Sequence, residues 1–253
     1  MTEASEGAAL LDGRYALGAT LAVGGSAILT RALDTALDRP VAIKRPRVRD
    51  TEVEARLRHE GAILGRCGHP GIVACTARGD DEDGAPYLVL QLIDGPNLVQ
   101  RLDTGGLTFD VALAWAVEVC RAVAHLDSRG IVHGDLKPQH IVIDTDGHAV
   151  LVDFDRAHDA SDVGARATGT EPYVAPEVLR GGATTIASDH YALGAVLRWL
   201  LERVEAGDDM LAIVTLLLGD EPARRPSAAT VAEALARRYA PPAAIGRRVR
   251  EDA

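Results

Sequence analysis

Two short segments in the second half of the sequence combine residue types that can transfer a phosphoryl group. They are His133-Gly-Asp-Leu-Lys-Pro-Gln-His140 and Asp153-Phe-Asp155. Asp135 and Lys137 suit a reaction in which the carboxylate accepts a proton from a hydroxyl while the ammonium steadies the transferring group. Asp153 follows an apolar run, where its carboxylate can hold a magnesium ion that bridges phosphate oxygens. The order of these residues within one stretch favours a catalytic function over isolated surface charges.

A glycine turn and a lysine near the N-terminus fit the same chemistry. The turn is Ala22-Val-Gly-Gly-Ser-Ala27, and Val41-Ala-Ile-Lys44 follows it. Backbone N–H groups of such a turn can cover phosphates, and a lysine on the neighbouring strand can neutralise them. The glycines alone are more typical of an ordinary hairpin. Glu60 lies in the middle of the next helical stretch, where it can face the sheet and pair with Lys44.

Lysine is rare in this chain. Of its 27 basic residues, only Lys44 and Lys137 are lysines. Arginine and lysine differ where a compact ammonium must touch a phosphate or a carboxylate at short range. Both lysines therefore become candidate catalytic residues.

Composition excludes several classes of protein. The chain has 253 residues, of which 47% are hydrophobic and 25% charged, so disordered, collagen-like and fibrous proteins are excluded. A net charge of -10 supplies no overall positive field, and we expect no nucleic-acid partner. The Ala-, Arg- and Gly-rich composition is consistent with a bacterial genome rich in G and C.

Features related to location predict a cytoplasmic protein that does not span a membrane. No apolar stretch reaches the ~18 residues of a membrane helix. The acidic N-terminus does not resemble a secretory signal. Three cysteines without metal-ligand spacing predict reduced thiols.

The elements that must position these residues change in type along the chain, from strand-rich to helix-rich near residue 94. We predict a flexible leader over 1–13, an N-terminal lobe over 14–93, a C-terminal lobe over 94–239 and a flexible tail over 240–253. Apolar periodicity and turn residues predict three strands within 15–43 and further strands over 71–78, 86–92, 141–143 and 149–152. Helices are predicted over 51–66, 110–128, 187–205, 209–218 and 227–239.

Over residues 14–239 these motifs resemble the eukaryotic-like Ser/Thr protein kinases, which also occur in bacteria. The resemblance implies an α+β, bilobal fold with a small antiparallel β lobe containing one helix and a larger, mainly α-helical lobe. It also implies that ATP and Mg²⁺ are used and that a protein hydroxyl accepts the phosphate. Lys137, two residues after Asp135, is typical of the Ser/Thr type.

The resemblance assigns roles to individual residues. It implies that Lys44, held by Glu60, contacts the α and β phosphates and that Asp153 binds the metal. It also implies that Asp135 binds the acceptor hydroxyl and that Lys137 contacts the γ phosphate. The implied nucleotide-binding positions are Ala22, Gly24, Gly25, Ala42, Lys44, Leu90, Gln91 and Ile93, with Leu90 as gatekeeper and Gln91 to Ile93 as hinge. The stretch Gly169 to Glu177 resembles the end of the family's activation segment. Asp189 matches an anchoring aspartate of the family, and Arg225 matches the arginine that pairs with Glu177.

Five positions depart from the family pattern. Ala22 and Ala27 replace the outer glycines of the phosphate loop, and Gly134 replaces an arginine that in many relatives receives a phosphorylated activation loop. Asp153-Phe-Asp155 resembles the family's metal-binding motif, which we call the metal motif, and Asp155 replaces its glycine. His140 replaces the asparagine that binds a second magnesium, and magnesium prefers oxygen to imidazole. We therefore expect His140 to weaken second-metal binding and to favour Mn²⁺.

Three functions remain open. The leading prediction is an ATP-dependent protein Ser/Thr kinase. The second is a pseudokinase that binds a nucleotide or a regulatory protein partner without chemistry. The third is a small-molecule phosphotransferase, disfavoured by the segment that ends at Glu177 together with Asp189 and Arg225.

Overall fold

The computed structural model describes residues 10–162 and 170–238 of the protein. A sheet-rich N-terminal lobe is followed by a mainly helical C-terminal lobe, which confirms the predicted bilobal α+β fold. The strands are β1 (Leu10–Leu11), β2 (Tyr15–Val23), β3 (Ala27–Asp34), β4 (Arg39–Pro46), β5 (Cys75–Asp80), β6 (Pro86–Gln91), β7 (Ile131–Val132), β8 (Ile141–Ile143), β9 (Ala149–Leu151) and β10 (His158–Asp159). The α-helices are α1 (Thr51–Leu64), α2 (Leu98–Asp103), α3 (Phe109–Ser128), α4 (Pro176–Leu179), α5 (Ile186–Glu202), α6 (Asp208–Thr215) and α7 (Ala228–Ala236).

The N-terminal sheet has the strand order β1-β2-β3-β4-β6-β5, and every neighbouring pair is antiparallel. Successive side chains of a strand point to opposite faces of the sheet. On β4, Val41 and Ile43 belong to a small apolar cluster on one face, whereas Ala42 belongs to the main core on the other. Lys44, two residues after Ala42, therefore points to the same face as Ala42, toward α1 and the second lobe.

Helix α1 packs against this face and carries Glu60. The Asp50 side chain caps the helix by accepting hydrogen bonds from the N–H groups of Glu52 and Val53. Gly61 allows a close approach to the sheet, because a Cβ atom there would lie 2.5 Å from Leu88 Cδ2. The close approach of α1 to the sheet brings the neighbouring Glu60 within reach of Lys44.

The C-terminal lobe is built around α3, which is apolar and buried over most of its length. Helices α5 and α7 pack against it. One apolar core continues from α1 and β6 into α3 and α5, including Leu57, Leu88, Leu113 and Leu193. The two lobes thus share a core beside the cleft between them.

Several predicted boundaries need correction. The predicted leader over 1–13 is wrong at its end, since β1 pairs with β2, Leu11 is buried and Tyr87 donates a hydrogen bond to Asp12 at 2.7 Å. The strand predicted from Gly71 begins only at Cys75. The last predicted helix ends at Ala236, and the predicted tail lies outside the described residues.

Short elements of the second lobe were not predicted. They are α2, α4, β7, β10 and three 3-10 turns. The predicted helix over 209–218 divides into α6 and a 3-10 turn. Among the described helices, none is long and apolar enough to cross a membrane.

Candidate active site

Lys44 joins the two lobes across the cleft. Its Nζ lies 2.7 Å from Glu60 Oε1 on α1 and 2.8 Å from Asp153 Oδ1 after β9. The Lys44 side chain is 11% exposed and that of Glu60 only 1%, so the pair is largely withdrawn from water. Burial lowers the pKa of Lys44, but the two carboxylates outweigh this effect and raise it above its usual value. Lys44 is therefore a firmly charged ammonium, and the predicted pairing with Glu60 is present.

Asp153 is held in a left-handed backbone conformation. Its φ is 63°, which costs a non-glycine residue roughly 1–3 kcal/mol. The next residue, Phe154, is fully buried, and its N–H donates to Glu60 Oε1 at 3.2 Å. Burial raises the pKa of Asp153, but Lys44 and His140 overcome it and hold the pKa well below its usual range. Asp153 thus presents a charged carboxylate to the cleft.

Asp135 and Lys137 form a second charged pair in the same cleft. Lys137 Nζ lies 2.7 Å from Asp135 Oδ2. The Thr170 hydroxyl donates to Asp135 Oδ1 at 3.1 Å and accepts from Lys137 Nζ at 3.0 Å. A threonine hydroxyl thus lies between this carboxylate and this ammonium. Asp135 and Lys137 therefore both hydrogen-bond the same hydroxyl oxygen.

Asp189 in the first turn of α5 anchors the loop that carries Asp135. Its carboxylate accepts hydrogen bonds from the N–H groups of His133 at 2.5 Å and Gly134 at 3.0 Å. Burial raises the pKa of Asp189, because little water reaches it. Gly134 has φ 76°, and a Cβ atom there would lie 2.8 Å from the Arg156 carbonyl oxygen. Glycine at this position therefore fits the close approach of the Arg156 backbone.

His140 lies between the two acidic residues of the cleft. Its Nδ1 is 3.0 Å from the Asp135 carbonyl oxygen, and its Nε2 is 3.2 Å from Asp153 Oδ2. Burial lowers the pKa of His140, and the neighbouring Asp153 opposes this effect. The two residues predicted to bind metal, Asp153 and His140, are therefore in contact.

The predicted nucleotide-binding residues line two different parts of the cleft. Ala42 and Leu90 are paired across β4 and β6 and are both buried. In the hinge, Gln91 N–H donates to the Ala74 carbonyl at 2.8 Å, so it is already used. Within the described ranges no residue accepts a hydrogen bond from Ile93 N–H, which leaves this donor for a ligand.

The glycine turn is the exposed part. Ala22, Gly24 and Gly25 are all exposed, and Gly24 N–H donates to the Ala27 carbonyl at 2.8 Å. The Ser26 hydroxyl lies 3.4 Å from Asp155 Oδ2 in the other lobe. This contact between the turn and the metal motif was not predicted, because 129 residues separate the two side chains.

Two further contacts around Asp135 were missed from the sequence. Neither Thr170 nor Arg156, whose Nε lies 3.9 Å from Asp135 Oδ2, was predicted to lie beside Asp135. Arg156 directly follows the metal motif, and this position was the only sequence signal that pointed to it. Gly169 is the first residue of the stretch predicted to form the end of the activation segment, and it lies outside the described residues.

An ion pair in the C-terminal lobe joins buried Arg225 to partly buried Glu177 of α4. Arg225 donates to both carboxylate oxygens of Glu177, at 2.6 and 2.7 Å. It also donates to the carbonyl oxygens of Ala187 and Gly219. The predicted partnership of Glu177 and Arg225 is therefore present, in the bidentate geometry that makes such pairs strong.

Comparison with known proteins gives one family. A family model described as "Protein kinase domain" matches residues 15–209. A probable serine/threonine-protein kinase of Streptomyces coelicolor is 33% identical over 227 residues, which cover 84% of this chain and 34% of that protein. Serine/threonine-protein kinase PknL of Mycobacterium tuberculosis is 34% identical over 201 residues, covering 76% of this chain and 50% of PknL. PknB of the same organism is 33% identical over 227 residues, covering 84% of this chain and 36% of PknB. The chain thus spans a third to a half of the length of these relatives.

Proposed function

The chain belongs to the protein kinase domain family, and from this premise we propose that it is an ATP-dependent protein Ser/Thr kinase. One observation carries the proposal: Lys44 forms ion pairs with both Glu60 and Asp153, and the ion pair of Asp135 and Lys137 lies in the same cleft. These five residues are the groups that phosphoryl transfer needs for positioning and for charge stabilisation.

The nucleotide is proposed to lie between the lobes. Its adenine ring packs against Ala42 and Leu90, and Ile93 N–H together with the Gln91 carbonyl supplies hydrogen bonds. The backbone at Gly24 and Gly25 covers the phosphates, and Lys44 neutralises them. The buried apolar pair supports this placement, as does the Ile93 N–H, which has no acceptor among the residues that the structure describes.

The acceptor hydroxyl is proposed to lie against Asp135. Asp135 accepts the hydroxyl proton as the oxygen forms its bond to the γ phosphorus, and the bond from that phosphorus to the β–γ bridging oxygen breaks to release ADP. Lys137 stabilises the charge on the transferring group. The contacts of the Thr170 hydroxyl with both side chains support this assignment.

The two proposed metal positions, one at Asp153 and one at His140, differ in the chemistry of their ligands. The Asp153 carboxylate is an oxygen ligand of the kind that Mg²⁺ prefers, and a magnesium ion held there neutralises phosphate charge. At the second position the imidazole of His140 is a poor ligand for Mg²⁺. We propose that second-metal binding is weakened with magnesium.

The alternative is a pseudokinase that binds a nucleotide or a regulatory protein partner. The contact of Ser26 with Asp155 and the imidazole beside Asp153 favour this reading, since both use groups of the metal motif. A small-molecule phosphotransferase is less favoured, because the Glu177–Arg225 pair supports the segment on which a protein kinase receives its substrate. For the kinase and the pseudokinase we propose a cytoplasmic location.

Phosphoamino-acid analysis tests the proposal. The protein is incubated with labelled ATP, Mg²⁺ or Mn²⁺, and a protein acceptor rich in serine and threonine. We expect labelled phosphoserine or phosphothreonine from the wild type. Asp135→Asn keeps the side-chain volume but removes the base, so labelling falls by about 10²-fold or more.

The matched control is the same substitution at exposed Asp146, which keeps wild-type labelling. Absence of transfer with both metals, while ADP still binds, contradicts the kinase and supports the pseudokinase. Label found only in a small-molecule acceptor supports the third function.

A further inference from the structure

Arg156 is a cation beside the Asp135 carboxylate, but its charge is not needed to balance that carboxylate. Its Nε lies 3.9 Å from Asp135 Oδ2, whereas Lys137 Nζ lies 2.7 Å from the same oxygen. The preceding Asp155 carboxylate accepts a hydrogen bond from the Ser26 hydroxyl at 3.4 Å. In the part of the chain that the structure describes, the long contact with Asp135 is the only ion pair of Arg156, whose side chain is 43% exposed. Its guanidinium is therefore open to another anion.

The backbone around Arg156 is anchored on both sides. Arg156 lies in a turn that is closed by a hydrogen bond from the Ala157 N–H to the Phe154 carbonyl at 3.0 Å. Phe154 and Ala157 are both buried. The Arg156 carbonyl oxygen also lies 3.1 Å from His158 Nδ1. The side chain is thus presented to the cleft from a fixed point.

Glycine at position 134 leaves space for Arg156. A Cβ atom on Gly134 would lie 2.8 Å from the Arg156 carbonyl oxygen and 3.6 Å from Arg156 Cβ. A larger side chain there would compete with Arg156 for the space beside Asp135, because protein interiors are closely packed. Gly134 also contributes no charge, so Arg156 adds a second cation next to Asp135, after Lys137.

We propose that Arg156 determines acceptor specificity by binding an anionic side chain that lies one or two positions from the acceptor hydroxyl. A guanidinium binds carboxylates and phosphates alike through its planar set of N–H donors. Each residue of an extended peptide advances by about 3.4 Å, so two residues span about 7 Å, a distance that brings such a side chain from Asp135 to Arg156. The inference rests on the proposed function, because it requires the acceptor to lie at Asp135. It deepens that function by naming the chemistry of the acceptor.

Paired peptide substrates test this preference. Each pair has one serine and differs only by Asn or Asp at one of the two positions before or after that serine. We expect the wild type to prefer the Asp peptide by about fivefold in kcat/KM at one or more positions, mainly through KM, as for a partly exposed ion pair. A further peptide with phosphoserine at the preferred position shows which of the two anions is bound more strongly.

Variants of Arg156 assign the preference to this side chain. Arg156→Gln removes the charge, so the ratio of kcat/KM for the Asp and Asn peptides falls to about 1. Arg156→Glu reverses the charge, so the ratio falls below 1 and a Lys peptide becomes the preferred substrate. The control is Arg224→Gln, at an arginine that is 81% exposed, and it keeps the wild-type ratio. A merely structural role of Arg156 does not predict a reversed preference.

Peptide binding gives a readout that does not depend on phosphate transfer. Fluorescent versions of the Asp and Asn peptides, with alanine in place of the serine, are titrated with the protein in the presence of ADP. Fluorescence anisotropy measures the dissociation constants. We expect the wild type to bind the Asp peptide about fivefold more tightly, and Arg156→Gln to bind both peptides equally.

The inference is overturned if the wild type does not distinguish the paired peptides, or if both Arg156 variants keep the wild-type ratio. Equal transfer to the Asp and Asn peptides contradicts the inference but leaves the proposed kinase intact. Binding that depends on Arg156 without any transfer supports the inference and contradicts the kinase. Absence of both transfer and binding contradicts both.

Discussion

The two sides of the cleft differ in how closely they follow the protein kinase pattern. One side, which we call the ion-pair side, consists of Lys44, Glu60 and Asp153. The predicted contact of Lys44 with Glu60 is present there, and Lys44 also contacts Asp153. The other side, the substituted side, consists of the turn Ala22 to Ala27 and His140, where the residue types depart from the pattern.

Burial distinguishes the Lys44–Glu60 pair from the glycine turn, although it does not distinguish His140, whose side chain is less exposed than that of Asp153. Glu60 is 1% exposed, and removal of one member of a buried ion pair leaves an uncompensated charge in a medium of low dielectric constant. The turn is exposed at Ala22, Gly24 and Gly25, where a methyl group has few neighbours to disturb. Substitution on the ion-pair side is thus coupled to folding, whereas substitution on the other side changes mainly ligand binding.

The largest expected effect is on the ion-pair side. Lys44→Ala leaves Glu60 buried and unpaired, so we expect loss of phosphate transfer and a decrease of about 3–5 kcal/mol in the free energy of unfolding. Glu60→Ala decreases it less, because Lys44 keeps Asp153 as a partner. Urea denaturation of both single variants and the double variant measures the coupling, expected at about 1–3 kcal/mol.

The control is the same set of single and double variants at the exposed pair Arg198–Glu202, where we expect a coupling free energy below about 0.5 kcal/mol. Equal coupling at the two pairs would show that burial is not what distinguishes the Lys44–Glu60 pair.

An intermediate effect is expected at His140. Replacement by asparagine supplies an oxygen ligand, so His140→Asn raises the rate of phosphate transfer in Mg²⁺ by about tenfold and lowers the advantage of Mn²⁺. Initial rates at saturating ATP measure the change. An unchanged or lower rate in Mg²⁺ would mean that His140 does not limit the use of magnesium.

The smallest effect is expected in the glycine turn. Ala27→Gly removes a methyl group beside the phosphates, and we expect KM for ATP to fall by no more than about threefold with kcat unchanged. Ala36→Gly, in the exposed turn between β3 and β4, is the matched control without effect. A large change in kcat would place the turn with the ion-pair side.

Long periodic elements were predictable from the sequence. Helices α1, α3 and α5 were predicted within a few residues because their apolar positions repeat with the helical period. Strands β7 and β10 have two residues each, too few to show any period. Helix α2 was missed although Asn97 and Gln100 form a capping box that marks its start.

The candidate site was predictable where its residues lie in compact motifs. The pairing of Lys44 with Glu60 follows from one strand and the helix after it, 16 residues away. The contacts of Thr170 with Asp135 and of Ser26 with Asp155 join irregular segments far apart in the chain. Their directions depend on tertiary packing, which no local pattern encodes.

Phosphate transfer itself tests the central claim most directly. Intact-protein mass is measured over time after ATP is added with Mg²⁺ or Mn²⁺, for the wild type and for Asp135→Asn, in the presence of the serine- and threonine-rich acceptor. We predict phosphate addition to the protein or the acceptor by the wild type, faster with Mn²⁺, and none within the same time by Asp135→Asn. Equal addition by both proteins, or none by the wild type with either metal, would contradict the assignment of this cleft as a working kinase site.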